Sequence, residues 1–259
     1  RSERRDKFKR GSGLLCLVVP EPGQLMWSAS CPVRRNEQRE ELMRREIDIT
    51  QPEYLIEDWP GKYEVFSWLE YVVTVPNPIF IITTRKANGA PNANLQSWGL
   101  LIGEKGNYSS LLAFLDNTHT YANILREEEW CVCFPSFEHY PQCFETISCN
   151  AAGNDEIAEA GFTAEPAKTV QAPRIVECPV SLECRLEWHR PLYDSSNWHL
   201  FAGRVLHLAM DEAMMVPDPI ERMQAMRLMY NIRSTVNPLN GEQYGPNTLG
   251  LLSQVEKIF

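Results

Sequence analysis

The sequence contains no apolar run of the ~18–20 residues needed to cross a bilayer as a helix, no Cys-x-x-Cys pair, and no internal repeat or low-complexity tract in its body. The first absence leaves no candidate membrane span. The longest early run, "LLCLVV" at Leu14–Val19, is shorter than the ~7–15-residue core of a secretory leader, and no good cleavage site follows it. Both facts argue against secretion. Eight cysteines in 259 residues are too sparse for a disulfide framework. Cys131 and Cys133 share a strand face by spacing, and with His139 and Cys143 they match no common zinc pattern. They read as small buried hydrophobes in a reducing compartment, the cytoplasm.

Positive charge is also scarce where a nucleic-acid groove would need it. The net charge is −9, but residues 1–45 hold 11 Lys/Arg against 6 Asp/Glu, so that stretch is +5 and the remainder −14. An acidic body excludes a nucleic-acid groove and a broad anionic-lipid surface. A small phosphorylated ligand stays open, because main-chain N–H groups hold a phosphate with few cations.

Residues 1–45 are Arg-rich, broken by Gly and Pro, and without periodicity, so a disordered basic extension is expected there. Met26 and Met43 are each candidates for a natural start. Residues 46–259 form the expected domain. "IFIITT", Ile79–Thr84, is a β-branched run bounded by prolines and predicts a buried strand. Asn88-Gly89 marks a hairpin turn, and Ala93–Gly103 reads as the returning strand. Tyr108–Leu115 and Trp130–Phe134 read as strands, with a helix from Thr120 to about Glu129 between them. Pro179–His189 alternates, placing Val180, Leu182, Cys184, Leu186 and Trp188 on one face. Asn197–Asp211 is the last long strand, with His199 and His207 on one face by their even spacing. A short helix is expected near Asp155–Ala160, and another from Pro219 to about Met229 with Asp218 as N-cap. Many strands joined by tight turns favour an antiparallel barrel with a few peripheral helices.

Two constellations carry chemistry. In "DNTHTYANI", with Thr120 read as N-cap, first-turn N–H groups beside Thr118 and His119 suit a phosphate; the same pattern also suits a plain capped helix. In "PNANLQSWG", Asn92, Asn94 and Gln96 share a strand face. Amides in register there suit the edge of a planar heterocycle, or simply water.

The ordered segments "PNPIFIITTRKANGAPNANLQSWG", "THTYANI", "EWCVCFPS", "DEIAEAGFTAEP…VQAPRIVECPVSLECRLEWH" and "HLFAGRVLHLAMDE" resemble the flavin-reductase-like family. The resemblance runs from Pro76 to Glu212. It implies a mainly β, FMN-binding split antiparallel β-barrel. It also implies a homodimer using NADH or NADPH and passing electrons to an acceptor such as a monooxygenase partner. By the resemblance Asn94, Leu95, Gln96, Ser97 and Trp98 contact the flavin, and Thr118, His119, Thr120 and Asn123 lie on its phosphate side. Relatives carry Asp-Lys where this chain has Asp155-Glu156, which predicts a more negative local field. That departure keeps open a non-enzymatic FMN carrier of flavoredoxin type. The flavin does the redox chemistry in such proteins, so no catalytic side chain is assigned.

Overall fold

The computed structural model describes residues 46–148, 150–233, 236–244, 248–252 and 254. The chain divides into two units, Arg1–Asp48 and Ile49–Phe259, and the expected basic extension lies outside the described residues. Among the described residues no helix is long and apolar enough to cross a membrane.

In chain order, α1 is Lys62–Val65, α2 Glu70–Val73, β1 Asn77–Pro78, β2 Phe80–Arg85, β3 Pro91–Gln96, β4 Gly99–Glu104, β5 Asn107–Leu115 and α3 His119–Glu127. There follow β6 Glu129–Phe134, α4 Tyr140–Ser148, α5 Glu156–Glu159, β7 Ala164–Glu165, β8 Arg174–Ile175, β9 Val180–Pro191, β10 Trp198–Met210, α6 Pro219–Met226, β11 Met229–Asn231 and β12 Leu249–Leu251. The main sheet has seven strands in the order β3-β2-β6-β9-β10-β5-β4, every pairing antiparallel. Small sheets of β1-β11-β12 and β7-β8 flank it.

The connectivity forces this sheet to curl. β3 and β4 stand at its two ends, yet only Ser97 and Trp98 join them. A flat sheet of that width would hold its outer strands about 29 Å apart at the usual strand spacing. Two linking residues span at most about 11 Å. The ends must therefore meet, and the cylinder is closed at this seam by the chain itself. The single strand expected over Ala93–Gly103 is accordingly two strands broken at Ser97–Trp98.

The lumen holds Phe80, Ile82, Leu112, Phe114, Trp130, Val132 and Phe201. The opposite faces of β2 and β6 carry Ile81, Cys131 and Cys133 into a second core beneath α4 and α5, with Cys143 and Ile157. Burial on both faces explains the unbroken apolar run in β2. Burial pushes the Cys143 and Cys184 thiols up to about 12, as inert packing groups. Gly203 is required by the lumen, since a Cβ there would stand 2.2 Å from the Trp130 ring.

Two bulges alter the faces that alternation predicts. β9 and β10 shift register between Ala202 and Gly203 and again between Val205 and His207. The first turns Trp188 out of the Leu182–Cys184 face, leaving it 42% exposed. The second pairs His207 with Glu183 and so separates it from the His199 face. Helix α6 has Asp218 as its cap, accepting from Ile220 and Glu221 N–H; it stops at Met226 because Met229 enters β11.

Candidate functional site

The amide face of β3 meets the start of α3. Thr118, not Thr120, caps that helix: its Oγ1 accepts from the Tyr121 N–H at 3.2 Å. Thr120 is 1% exposed, and its Oγ1 accepts from Asn92 Nδ2 at 3.1 Å and Asn94 Nδ2 at 3.0 Å. Both threonines suit a cap locally; the β3 amides decide by claiming Thr120. Asn94 Oδ1 in turn accepts from Gln96 Nε2 at 3.1 Å. The relay therefore has a direction. A hydroxyl has one hydrogen and two lone pairs. With both lone pairs engaged, the Thr120 hydroxyl is left as a donor. At the other end Gln96 Oε1 is buried without a hydrogen-bond partner among the described residues, an acceptor in waiting. The β3 amides are thus not a solvated face.

Beneath the cap lies an ionic base. Glu156 is 1% exposed and Lys86 5%, and Lys86 Nζ stands 2.7 Å from Glu156 Oε1. Lys86 also donates to the Ala151 and Asn154 carbonyls, at 2.6 and 2.9 Å. Glu156 Oε2 accepts from the Ala93 N–H at 2.8 Å. The more negative field expected from Glu156 is thereby corrected, since the hairpin turn after β2 supplies the balancing cation. His119 Nδ1 lies 3.8 Å from Glu156 Oε1, too far for a hydrogen bond, and is buried without a hydrogen-bond partner.

Two adjoining cavities result. One of about 210 Å³ is lined by Asn94, Gln96, Trp98, Thr118, His119 and Thr120, with Glu156 at its base. The other, about 470 Å³, shares Asn94, Gln96 and Trp98 and adds Leu95 and Ser97. Phe66, stacked on Trp98 at 5.5 Å between ring centroids and 4° between planes, forms part of both walls. Eight of the nine residues singled out by sequence therefore converge on one cleft at the seam. Asn123 does not. It donates to Thr84 Oγ1 at 2.9 Å and accepts from Arg126 Nη2 at 3.2 Å, and it braces α3 against β2. The family resemblance put it on the phosphate side; here its amide is taken up by Thr84 and Arg126.

Sequence reasoning missed Lys86, Phe66, Glu70 and Arg233. Lys86 sits in the quoted "RKANG" turn, but its acidic partner is 70 residues away, and no local pattern marks such a pair. Arg204 pairs with Glu187 at 2.8 Å in an exposed position, away from the cleft lining.

Solved structures share this architecture. Nitrilotriacetate monooxygenase component B from Bacillus cereus aligns with a TM-score of 0.62 at 17% identity, covering 78% of this chain and 98% of that one. Flavoredoxin of Desulfovibrio vulgaris (Miyazaki F) gives 0.56 at 19%, covering 71% and 91%. A Shewanella frigidimarina protein described as a flavin reductase with split barrel domain gives 0.60 at 15%, covering 73% and 89%. At such identities the likeness carries the fold alone, and the fold is the split β-barrel. In sequence, an uncharacterized protein from Aquifex aeolicus is 29% identical over 147 residues, 55% of this chain and 74% of that protein. Residues 72–232 match the flavin reductase like domain, and this chain belongs to that family of flavin-linked oxidoreductases.

Proposed function

We propose that this protein binds FMN in the cleft at the barrel seam and works as an NAD(P)H-dependent flavin oxidoreductase. The observation that carries the reading is the polarised relay from Gln96 to Thr120. Oxidised isoalloxazine has one ring N–H, and Gln96 Oε1 is the unpaired buried acceptor on the ring side. A phosphate is an acceptor only. The Thr120 hydroxyl and the first-turn N–H groups of α3, which precede the first internal bond from Ala122 N to Thr118 O, are donors on the other side. Bound flavin supplies two-electron chemistry between the nicotinamide and an acceptor. The chain's own part is to hold the ring against Trp98, exclude water with Phe66, and grip the tail at Thr118, His119 and Thr120.

The acceptor is a small oxidant or a partner oxygenase, in line with the name of the Bacillus neighbour. A cytoplasmic location agrees with the buried free thiols. We also assign a homodimer. On the outer barrel face the register aligns Leu100, Leu111, Ala202 and Trp188 in one row, with Leu100 54% and the neighbouring Ile102 60% exposed. Such a patch suits a second copy of the chain. One observation favours the rival, a flavin carrier without reductase activity. Among the described residues no lysine or arginine lines the smaller cavity, so a dinucleotide with further phosphates meets no cation from them there. Titrating apo-protein with FMN, then adding NADH or NADPH, decides. A flavin absorbance shift with nicotinamide oxidation is expected; binding without oxidation establishes the carrier, and no spectral change refutes both.

A further inference from the structure

The larger cavity carries a charge that flavin binding at the seam does not use. Arg233 lines it and is only 6% exposed. Its guanidinium carbon lies among rings, 4.1 Å from the Trp98 centroid, 4.9 Å from Phe66 and 5.7 Å from Tyr71. Its backbone is left-handed, at φ 60°, a conformation that costs a non-glycine residue about 1 kcal/mol or more. Glu70 Oε2 pairs with Nη2 at 2.9 Å. Glu70 does not line this cavity; it lines a neighbouring open pocket that Arg233 and Trp98 also border. A guanidinium has five donors in a rigid fork; Glu70 and the Tyr71 hydroxyl engage part of it and leave donors over.

The other charges in the wall cancel, since Lys62 Nζ is 2.5 Å from Asp58 Oδ1. Arg233 is thus the cation of this lining whose carboxylate partner, Glu70, lies outside it, and it is buried among aromatic rings. The remaining wall combines the apolar Trp59, Tyr140, Phe144 and Ile147 with the polar Asn94, Gln96, Ser97 and Asn231. Lys62, Phe66, Glu70 and Arg233 all fall outside the segment 72–232 that matches the family. Part of this wall, at Lys62, Phe66 and Arg233, is therefore built by flanking sequence.

We propose that this cavity is a second-substrate chamber that takes a planar aromatic compound bearing a single anionic group, with Arg233 as its anion-recognition residue. The ring packs against Trp98 and Tyr140, and the anion meets the free edge of the fork, where charge-assisted bonds are strongest. The assignment of a second substrate rests on the flavin reading; the binding itself does not.

Isothermal titration of the full chain with 2-naphthoate and its neutral counterpart 2-naphthamide tests this. The wild type should bind the carboxylate about tenfold or more tighter than the amide, the size of a charge-assisted hydrogen bond. Arg233→Met should erase that preference and leave the amide within about threefold of wild type. Equal wild-type affinities, no binding of either compound, or a preference that survives in Arg233→Met overturns the proposal. Should Arg233→Met fail to fold, Glu70→Gln decides. It removes the competing carboxylate but keeps an acceptor for Trp98 Nε1, which lies 3.3 Å from Glu70 Oε2. It should tighten naphthoate several-fold and not naphthamide; no change refutes the role. FMN titration of the same samples separates the readings. Flavin uptake without naphthoate binding refutes the chamber alone, and the converse refutes the flavin reading alone.

Discussion

Replacing Thr120 by valine separates the relay from simple packing. Valine keeps the shape, so the 1% exposed site stays filled. What goes is the acceptor for Asn92 Nδ2 and Asn94 Nδ2. Asn92 is 1% exposed, so its stranded donor carries a full desolvation cost of about 1–3 kcal/mol. Half-buried Asn94 can turn toward water and loses less. The sum is about 2–4 kcal/mol, or roughly 5–12 °C in Tm for a domain of this size. The ligand effect is separable. Losing a hydroxyl donor to a charged phosphate should weaken FMN binding by about 10–150-fold. Riboflavin, lacking the phosphate, should lose less than about threefold by the same reasoning. Urea unfolding and fluorescence titration with both flavins measure these. Equal losses for FMN and riboflavin would mean that Thr120 does not face the phosphate. A stability change below about 0.5 kcal/mol would mean that the amides never depended on it.

Lys86→Met strands the Glu156 carboxylate. Breaking one side of a buried pair should cost about 3–5 kcal/mol, and the uncompensated charge should weaken FMN more than riboflavin, read by the same two assays. Glu183, fully buried, is subject to burial that alone would raise its carboxyl; N–H groups of Lys168 and Thr169 and the Thr169 hydroxyl outweigh this and hold it below the ordinary range. A depressed carboxyl stabilises the fold above its unfolded value of about 4.3 and loses that contribution as pH falls through the folded value. Wild-type stability should therefore drop on acidification below about pH 4, and Glu183→Gln should flatten that drop while lowering stability at pH 7, as followed by circular dichroism. Leu100→Lys with Ile102→Lys should convert the dimer to a folded monomer in light scattering. A wild type that is itself monomeric, or a double variant that stays dimeric, refutes that face.

Long-range closure decided most of what sequence alone could not show. The strands β2, β5, β6, β9 and β10 were legible because each is a run with its own composition or alternation. The bulges in β9 and β10 were not, since an extra residue in a ladder leaves no mark in an apolar pattern. Helix α4 hid because Cys143 and Thr146 are its fully buried residues, too few to set a stripe. The cleft residues were found by likeness to a family. Their partners were not, because Lys86 and Arg233 take their meaning from groups distant in the chain.

The seam explains why the site lies where it does. β3 pairs on one side only, and a free edge is a liability unless it is used or covered. The Ala93 N–H points away from β2, since Glu156 accepts it. Main-chain direction alternates along a strand, so the N–H of Leu95 shares that outer edge. Such a donor is independent of the side chain, which would suit Leu95 to the flavin contact proposed for it. Leu95→Pro removes one such donor and spares the ladder to β2, as proline on a strand edge does. Leu95→Ala controls for lost packing. The proline variant should bind FMN and riboflavin about 5–10-fold more weakly than the alanine variant, equally for both, because one main-chain hydrogen bond of about 1 kcal/mol goes to the shared ring. Matching affinities for Leu95→Pro and Leu95→Ala would show that the ring does not touch this edge, and the seam would then be a structural closure alone.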